Sequence, residues 1–378
     1  MSVDVTGGGT SRGKMVSRLG HAPSRWRAPA AGRRLVYAGI ALVIFGVAAC
    51  SSTSGGSTRG ASARPTSATA SPGPGSLQQQ YEQVVSQVLP SVVEISTGEG
   101  SGSGVVYDSK GDIVTNAHVV GAAATVQVSP ASGGKALAAK VLGVFAPDDL
   151  AVIRVASGAG SLRPASFGRS ASVQAGEIVL AMGNPLGLTG TVTDGIVSAT
   201  GRTVSEGQGS SGVLISAIQT SAAINPGNSG GALADLAGQV IGIPTLAATD
   251  PQLGGAAAGI GFAIPSDTVT SIAGQLIASG KVSNSGRASL GISAQTVADA
   301  SGRPAGVGVV AVTPGGAAAK AGIVAGDIIV SVAGQPTGSL TALQSVLAAG
   351  KPGDRVPVRV SRDGRQSTVT VTLGSLTS

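Results

Sequence analysis

Between residues 91 and 265, clusters of Gly, Asp, Ser and Pro recur every few residues, with short apolar runs between them. No long helical pattern interrupts the series. The runs are Ser91–Ser96, Ser103–Tyr107, Ile113–Thr115, Thr125–Val128, Lys140–Val144, Leu150–Val155, Ile178–Met182, Thr191–Ser198, Leu214–Thr220, Gln239–Ile243 and Gly259–Ile264. Short β-rich runs bounded by turn residues read as strands, and many of them at close spacing demand a β-barrel or sandwich. A break near Ser157–Ala175 divides the series into two barrels. The chain has 378 residues and eight aromatics, so Val, Ile, Leu and Ala must fill the interior.

The flanks read differently. Residues 1–34 are polar, glycine-rich and basic, and end in Arg33-Arg34. Leu35 to Ala49 carries no charge and is closed by Cys50. A spanning helix needs about 20 apolar residues and a signal-peptide core about 7–15. Val47-Ala48-Ala49-Cys50 resembles a lipobox, which predicts cleavage and a lipidated Cys50; an uncleaved anchor helix is the alternative. Either way the basic flank stays in the cytoplasm and the rest is exported, at the outer face of the cell membrane. Residues 51–76 are rich in Ser, Thr, Gly, Pro and Ala and read as a flexible tether. An amphipathic helix is expected over Leu77–Leu89, stopped by Pro90. A second is expected over 266–279, with Ser266 as N-cap and Asp267 in its first turn. Residues 280–287 read as a hinge. A small α+β domain follows over 288–378, with strands at Val307–Val312, Asp327–Val332, Arg355–Arg362 and Ser367–Leu373 and helices at Ala317–Ala321 and Leu340–Ala348.

Charge and composition exclude several functions. The net charge of +7 comes from residues 1–75, which hold nine Lys+Arg and one acid for +8; residues 76–378 hold sixteen and seventeen for −1. The folded part therefore offers no basic face for nucleic acid. One cysteine excludes internal disulfides and cysteine-rich metal sites, and two histidines (His21 and His118) leave little room for zinc. No cofactor is expected.

Three motifs carry chemistry. In Asn225-Pro226-Gly227-Asn228-Ser229-Gly230-Gly231, a serine between glycines can expose its hydroxyl beside converging backbone N–H groups, as acyl transfer requires. In Thr115-Asn116-Ala117-His118-Val119-Val120, His118 is the one histidine beyond the N-terminal segment, and a neutral imidazole is the usual base for a serine. In Pro147-Asp148-Asp149-Leu150-Ala151-Val152-Ile153, an acid at the mouth of a strand can orient an imidazole. Each alone also fits a bland reading: a glycine hairpin, a core histidine, a turn carboxylate.

The order His, Asp, Ser is that of the chymotrypsin-like proteases, and the three runs together resemble the HtrA (DegP-type) serine proteases. Gly100-Ser101-Gly102-Ser103-Gly104 resembles that family's glycine-rich first-barrel strand. Gly261-Phe262-Ala263-Ile264-Pro265 resembles the strand that ends its protease domain. In the C-terminal domain, Gly316-Ala317 through Asp327-Ile328-Ile329 resembles the PDZ core. Ser289-Leu290-Gly291-Ile292 resembles the PDZ loop that receives a peptide's carboxylate. The resemblance implies a double β-barrel protease domain over 77–279 followed by one PDZ domain. Ser229 becomes the nucleophile and His118 the base. Asp149, which directly precedes the aliphatic strand, becomes the orienting acid in preference to Asp148. The N–H groups of Gly227 and Ser229 become the oxyanion hole. Ala223 falls at the base of the specificity pocket, beside Ile224, with Ile260, Phe262 and Ile264 along one wall. Leu290, Gly291 and Ile292 become the peptide-carboxylate site.

The implied partners are unfolded polypeptides, C-terminal peptides at the PDZ groove, the membrane, and further copies of the chain in a trimer. Two residues depart from the family pattern: Ser221 stands where Asp is frequent, and Pro244, which donates no N–H, where Asn is frequent. Neutral Asn228 cannot form the ion pair with a new N-terminus that activates digestive zymogens. A peptide-binding chaperone with an idle triad is the rival reading.

Overall fold

Val84 and Val88, one helical turn apart, are buried at 2% and 3% exposure and fix which face of α1 (Pro74–Val88) meets the body. The structure, a computed structural model, describes residues 74–184, 190–205, 213–225, 227–250 and 255–378. The expected tether and the Cys50 segment lie outside them. Among the described residues no helix is long and apolar enough to cross a membrane. α1 begins three residues before the expected Leu77, because Pro74 can occupy a first helical position whose N–H is not needed.

Two closed barrels follow. The first comprises β1 (Val92–Ser96), β2 (Ser101–Val106), β3 (Asp112–Thr115), β4 (Thr125–Pro130), β5 (Leu137–Phe145) and β6 (Leu150–Val155), with helix α2 (Ala117–Val120) after β3. The second comprises β7 (Ile178–Gly183), β8 (Thr191–Ser205), β9 (Val213–Thr220), β10 (Ala232–Asp235), β11 (Val240–Asp250) and β12 (Gly255–Pro265). Their strand orders are β1-β2-β3-β6-β5-β4 and β7-β8-β9-β12-β11-β10, each closing on itself, so one topology is used twice.

Alternation along each strand builds three cores. Val93, Ile95, Ile113, Val128 and Ile153 cluster within the first barrel. Val179, Ala181, Ile218, Leu233 and Ala263 cluster within the second. The opposite faces supply Val92, Val105, Val114, Val152, Leu180, Met182, Phe262 and Ile264 to a cluster spanning both barrels and α1. α3 (Ser266–Ser279) adds Val269, Ile272 and Leu276 to it. Fully burying such a side chain contributes about 1.5–3 kcal/mol.

The C-terminal domain comprises β13 (Ala288–Ser289), β14 (Ile292–Ala298), β15 (Pro304–Val312), α4 (Ala317–Lys320), β16 (Ile328–Val332), β17 (Gln335–Pro336), α5 (Leu340–Ala348), β18 (Arg355–Arg362), β19 (Arg365–Thr372) and β20 (Gly374–Ser375). Its main sheet runs β14-β15-β16-β18-β19, around a core that includes Leu290, Val307, Ile329, Leu343 and Val358.

Three findings differ from the sequence reading. β10 and β14 were not expected: β10 is four residues long and abuts a glycine turn, and β14 has no buried residue. Pro265, not Ser266, occupies the N-cap of α3; Ser266 takes the first helical position and its hydroxyl donates to the Gly168 carbonyl at 2.7 Å. Residues 280–287 are tied down. The Ser378 N–H donates to the Val282 carbonyl at 3.0 Å, and the Ser285 hydroxyl donates to the Leu376 carbonyl at 2.7 Å.

Candidate active site

β3 ends at Thr115 and the chain turns through Asn116 into the four-residue α2, which carries His118. Asp149 follows the short turn Ala146–Asp148 at φ 50°, ψ 43°, a left-handed conformation that aspartate tolerates better than most residues. That geometry wraps it around the start of α2. Its carbonyl accepts from the Ala117 N–H at 3.1 Å and the Asn116 amide at 3.0 Å. Its Oδ1 accepts from the His118 N–H at 3.0 Å. Its Oδ2 lies 2.8 Å from His118 Nδ1 and also accepts from the Thr245 hydroxyl. An ionised carboxylate only accepts, so Nδ1 carries the proton and Nε2 is left as the basic nitrogen.

The neighbouring Asp148 turns away. Its carboxylate pairs with Arg287 Nη1 at 2.7 Å, and the same guanidinium donates to the Pro147 carbonyl. Burial pushes the Asp148 carboxyl above the ordinary carboxylate range, against the pull of Arg287.

Ser229 lies in the turn between β9 and β10. The Asn228 N–H points back to the Asn225 carbonyl at 3.0 Å, and the Gly230 N–H donates to the Pro244 carbonyl at 2.9 Å. Gly230 has φ +82°, and a Cβ there would stand 2.1 Å from the Ser103 carbonyl oxygen, so only glycine fits. The Ser229 hydroxyl donates to the Thr245 carbonyl at 3.3 Å. Asn228, 1% exposed, donates its side-chain amide to the Ala223 carbonyl at 3.2 Å, which staples the loop to itself without any charge. Ser221 clasps β8: its hydroxyl accepts from the Ile196 N–H at 3.0 Å. Pro244 pairs in register with Ala263 of β12 and offers its carbonyl to Gly230.

A cavity of about 840 Å³ brings His118, Ser229, Ile224, Asn225, Gly227 and Thr245 together. Of the expected pocket residues, Ile224 lines it. Ala223 and Ile260 are exposed, and Phe262 and Ile264 are packed in the core between the barrels. The reason is that only the C-terminal part of β12, from Gly261 to Pro265, is covered, and there Phe262 and Ile264 face the core between the barrels while Ala263 faces the core of the second barrel. A second cavity, about 630 Å³, is lined by Leu290, Gly291, Ile292 and Leu343 on one side and by His118, Val144 and Asp149 on the other. In the loop, the Gly291 N–H donates to the Ser289 hydroxyl at 3.0 Å, and the Leu290 carbonyl accepts from Ala318 at 2.8 Å. Thr245 and Ser103 touch this machinery and were not singled out from the sequence: a neutral hydroxyl in a Ser/Thr-rich chain leaves no signal.

Comparison with known proteins gives the same two-part division. The trypsin-like peptidase domain family matches residues 102–243 and the PDZ domain family residues 288–373. Serine protease PepD of Mycobacterium tuberculosis is 40% identical over 333 residues, covering 83% of this chain and 69% of that protein. Periplasmic pH-dependent serine endoprotease DegQ of Escherichia coli is 39% identical over 287 residues, covering 74% and 60%. The solved structure of the HtrA-type protease AlgW with a decapeptide superposes with a TM-score of 0.53 at 31% identity, covering 78% of this chain and 98% of that one.

Proposed function

Because the chain belongs to the HtrA-type serine proteases and is a serine endopeptidase with one PDZ domain, we propose that Ser229, His118 and Asp149 carry its chemistry. His118 Nε2 takes the Ser229 proton as the hydroxyl attacks the scissile carbonyl, and returns it to the leaving amine. Asp149 orients the imidazole and stabilises the imidazolium. The single observation carrying this reading is the 2.8 Å contact between Asp149 Oδ2 and His118 Nδ1, with His118 and Ser229 lining one cavity. The N–H groups of Gly227 and Ser229 stabilise the tetrahedral oxyanion. The inward-turned Asn228 amide between them supports that assignment.

The acyl side of the cut takes Val, Ala or Ile. Ile224 lines the cavity, and no acid stands among residues 223–228 to offset the desolvation of an inserted Lys or Arg. Substrates are unfolded or damaged polypeptides outside the cytoplasm, and C-terminal peptides engage Leu290–Ile292. The basic flank and apolar segment ending at Cys50, together with a relative named periplasmic, support export and tethering by a lipid on Cys50 or an uncleaved anchor. The assembly is a homotrimer. Profiling the cut sites in a denatured protein mixture tests the pocket: a majority after Val, Ala or Ile is expected, and a majority after Lys or Arg would overturn it.

A further inference from the structure

We propose that Ser103 is a positioning residue for acyl transfer: a buried brace, supplied by the first barrel, that holds the nucleophile turn so that the Ser229 N–H keeps its aim at the oxyanion position. The proposal rests on the catalytic reading above. Ser103 is wholly buried on β2, and all its polar atoms are engaged. Its N–H donates to the Ser229 carbonyl at 2.8 Å. Its hydroxyl donates to the Gly227 carbonyl at 2.5 Å and accepts from the Asn184 N–H at 2.8 Å. Its carbonyl accepts from the Thr115 hydroxyl at 2.6 Å.

One residue of one barrel therefore grips the carbonyls on both sides of Asn228 in the other. Peptide units are planar, so fixing the Gly227 and Ser229 carbonyls fixes the planes that carry the Asn228 and Gly230 N–H groups, and the peptide between them, which carries the Ser229 N–H, is held at both ends. The turn needs such a brace. Gly227 and Gly230 sit at φ +105° and +82°, in a region that glycine enters and leaves at little cost. The Asn184 N–H occupies a lone pair of the Ser103 hydroxyl and so directs its proton to Gly227. Asn184 is itself held, its side-chain amide donating to the Ser129 carbonyl and its Oδ1 accepting from the Gly190 N–H, both at 3.3 Å. The neighbours cannot substitute: a Cβ at Gly102 would meet Val119 at 2.6 Å, and one at Gly104 would meet Ile113 at 2.7 Å.

The test is steady-state kinetics of Ser103→Ala, paired with the affinity of a substrate-like peptide boronate, whose tetrahedral adduct places an oxygen in the hole. The expected result is a fall in kcat of about 10- to 100-fold, less than the 10²–10³ from losing a donor outright. KM should stay within about twofold and boronate affinity should fall by the same factor as kcat/KM. In a Ser229→Ala background, adding Ser103→Ala should leave affinity for the uncut peptide unchanged. Ser103→Cys, which keeps a weak donor, should recover part of the rate. An unchanged kcat overturns the proposal, as does a loss of rate without a parallel loss of boronate affinity. Failure of both variants to fold also overturns it, since Ser103 would then serve folding. A wild-type protein without proteolytic turnover strikes down the catalytic reading itself.

Discussion

Asp149 and Asp148 are adjacent and chemically identical, yet they face opposite ways. The left-handed backbone at Asp149 sends one carboxylate to His118 and leaves the other to Arg287. Their variants should therefore separate. Ser229→Ala should lower kcat by about 10⁶, and His118→Ala similarly. Asp149→Asn should lower it by about 10⁴, through the wrong tautomer. Asp148→Ala should leave peptide hydrolysis within about threefold, because it touches no reacting group. Kinetics on one aliphatic peptide checks all four, and a greater loss from Asp148→Ala than from Asp149→Asn would reverse the assignment. As candidates, His118, Asp149 and Ser229 were legible in the sequence because a rare residue, a charge at a strand mouth and a glycine-flanked serine each leave a local pattern. The supporting hydroxyls of Thr245 and Ser103 were not, since their partners lie on other strands far along the chain.

At the scale of elements, the strand series was legible from turn punctuation, whereas its faces were not. β12 looks like a pocket wall in sequence, but Ile260 is exposed and Phe262 and Ile264 end in the core. β10 is short enough to be lost beside Gly230-Gly231. Two ion pairs tie elements together and make opposite predictions with pH. Asp148 and Arg287 join the β5–β6 turn to the start of the C-terminal domain, with side chains 7% and 13% exposed. Arg287→Ala strands a buried carboxylate and should cost about 3–5 kcal/mol. Burial raises the Asp148 pKa in the folded state, so its contribution is present below the ordinary carboxylate range and is lost as pH rises through the raised value. The Arg287→Ala deficit in urea unfolding should accordingly be larger at neutral than at acid pH; a deficit independent of pH would contradict this. Asp327 behaves in the opposite sense. The hydrogen bond from Arg362 holds its carboxyl below the usual range, despite burial. Its contribution is present above that range and is lost as pH falls through the lowered value, so Asp327→Asn should flatten the acid limb of the same unfolding profile.

Across the whole molecule, one six-strand topology is used twice, and the proposed catalytic groups collect where the two barrels meet. His118 and Asp149 come from the first barrel, Ser229 and Thr245 from the second. The buried cluster shared by both barrels holds that seam closed. The cavity beside Ser229 and the cavity at the PDZ loop share His118 and Gly121, so the proposed sites of peptide capture and cleavage adjoin. Apolar pockets discriminate by only about 1–3 kcal/mol per methylene, so the preference for Val, Ala or Ile before the cut should be graded across a peptide series. Equal kcat/KM for Val and Lys at that position would contradict an apolar pocket. Whether Ser229 is the nucleophile of an endopeptidase is checked by digesting denatured casein with purified wild-type protein and with Ser229→Ala. Cleavage by the wild type is expected, and none by a variant that unfolds at the same temperature. Undiminished cleavage by the folded Ser229→Ala protein would contradict that assignment.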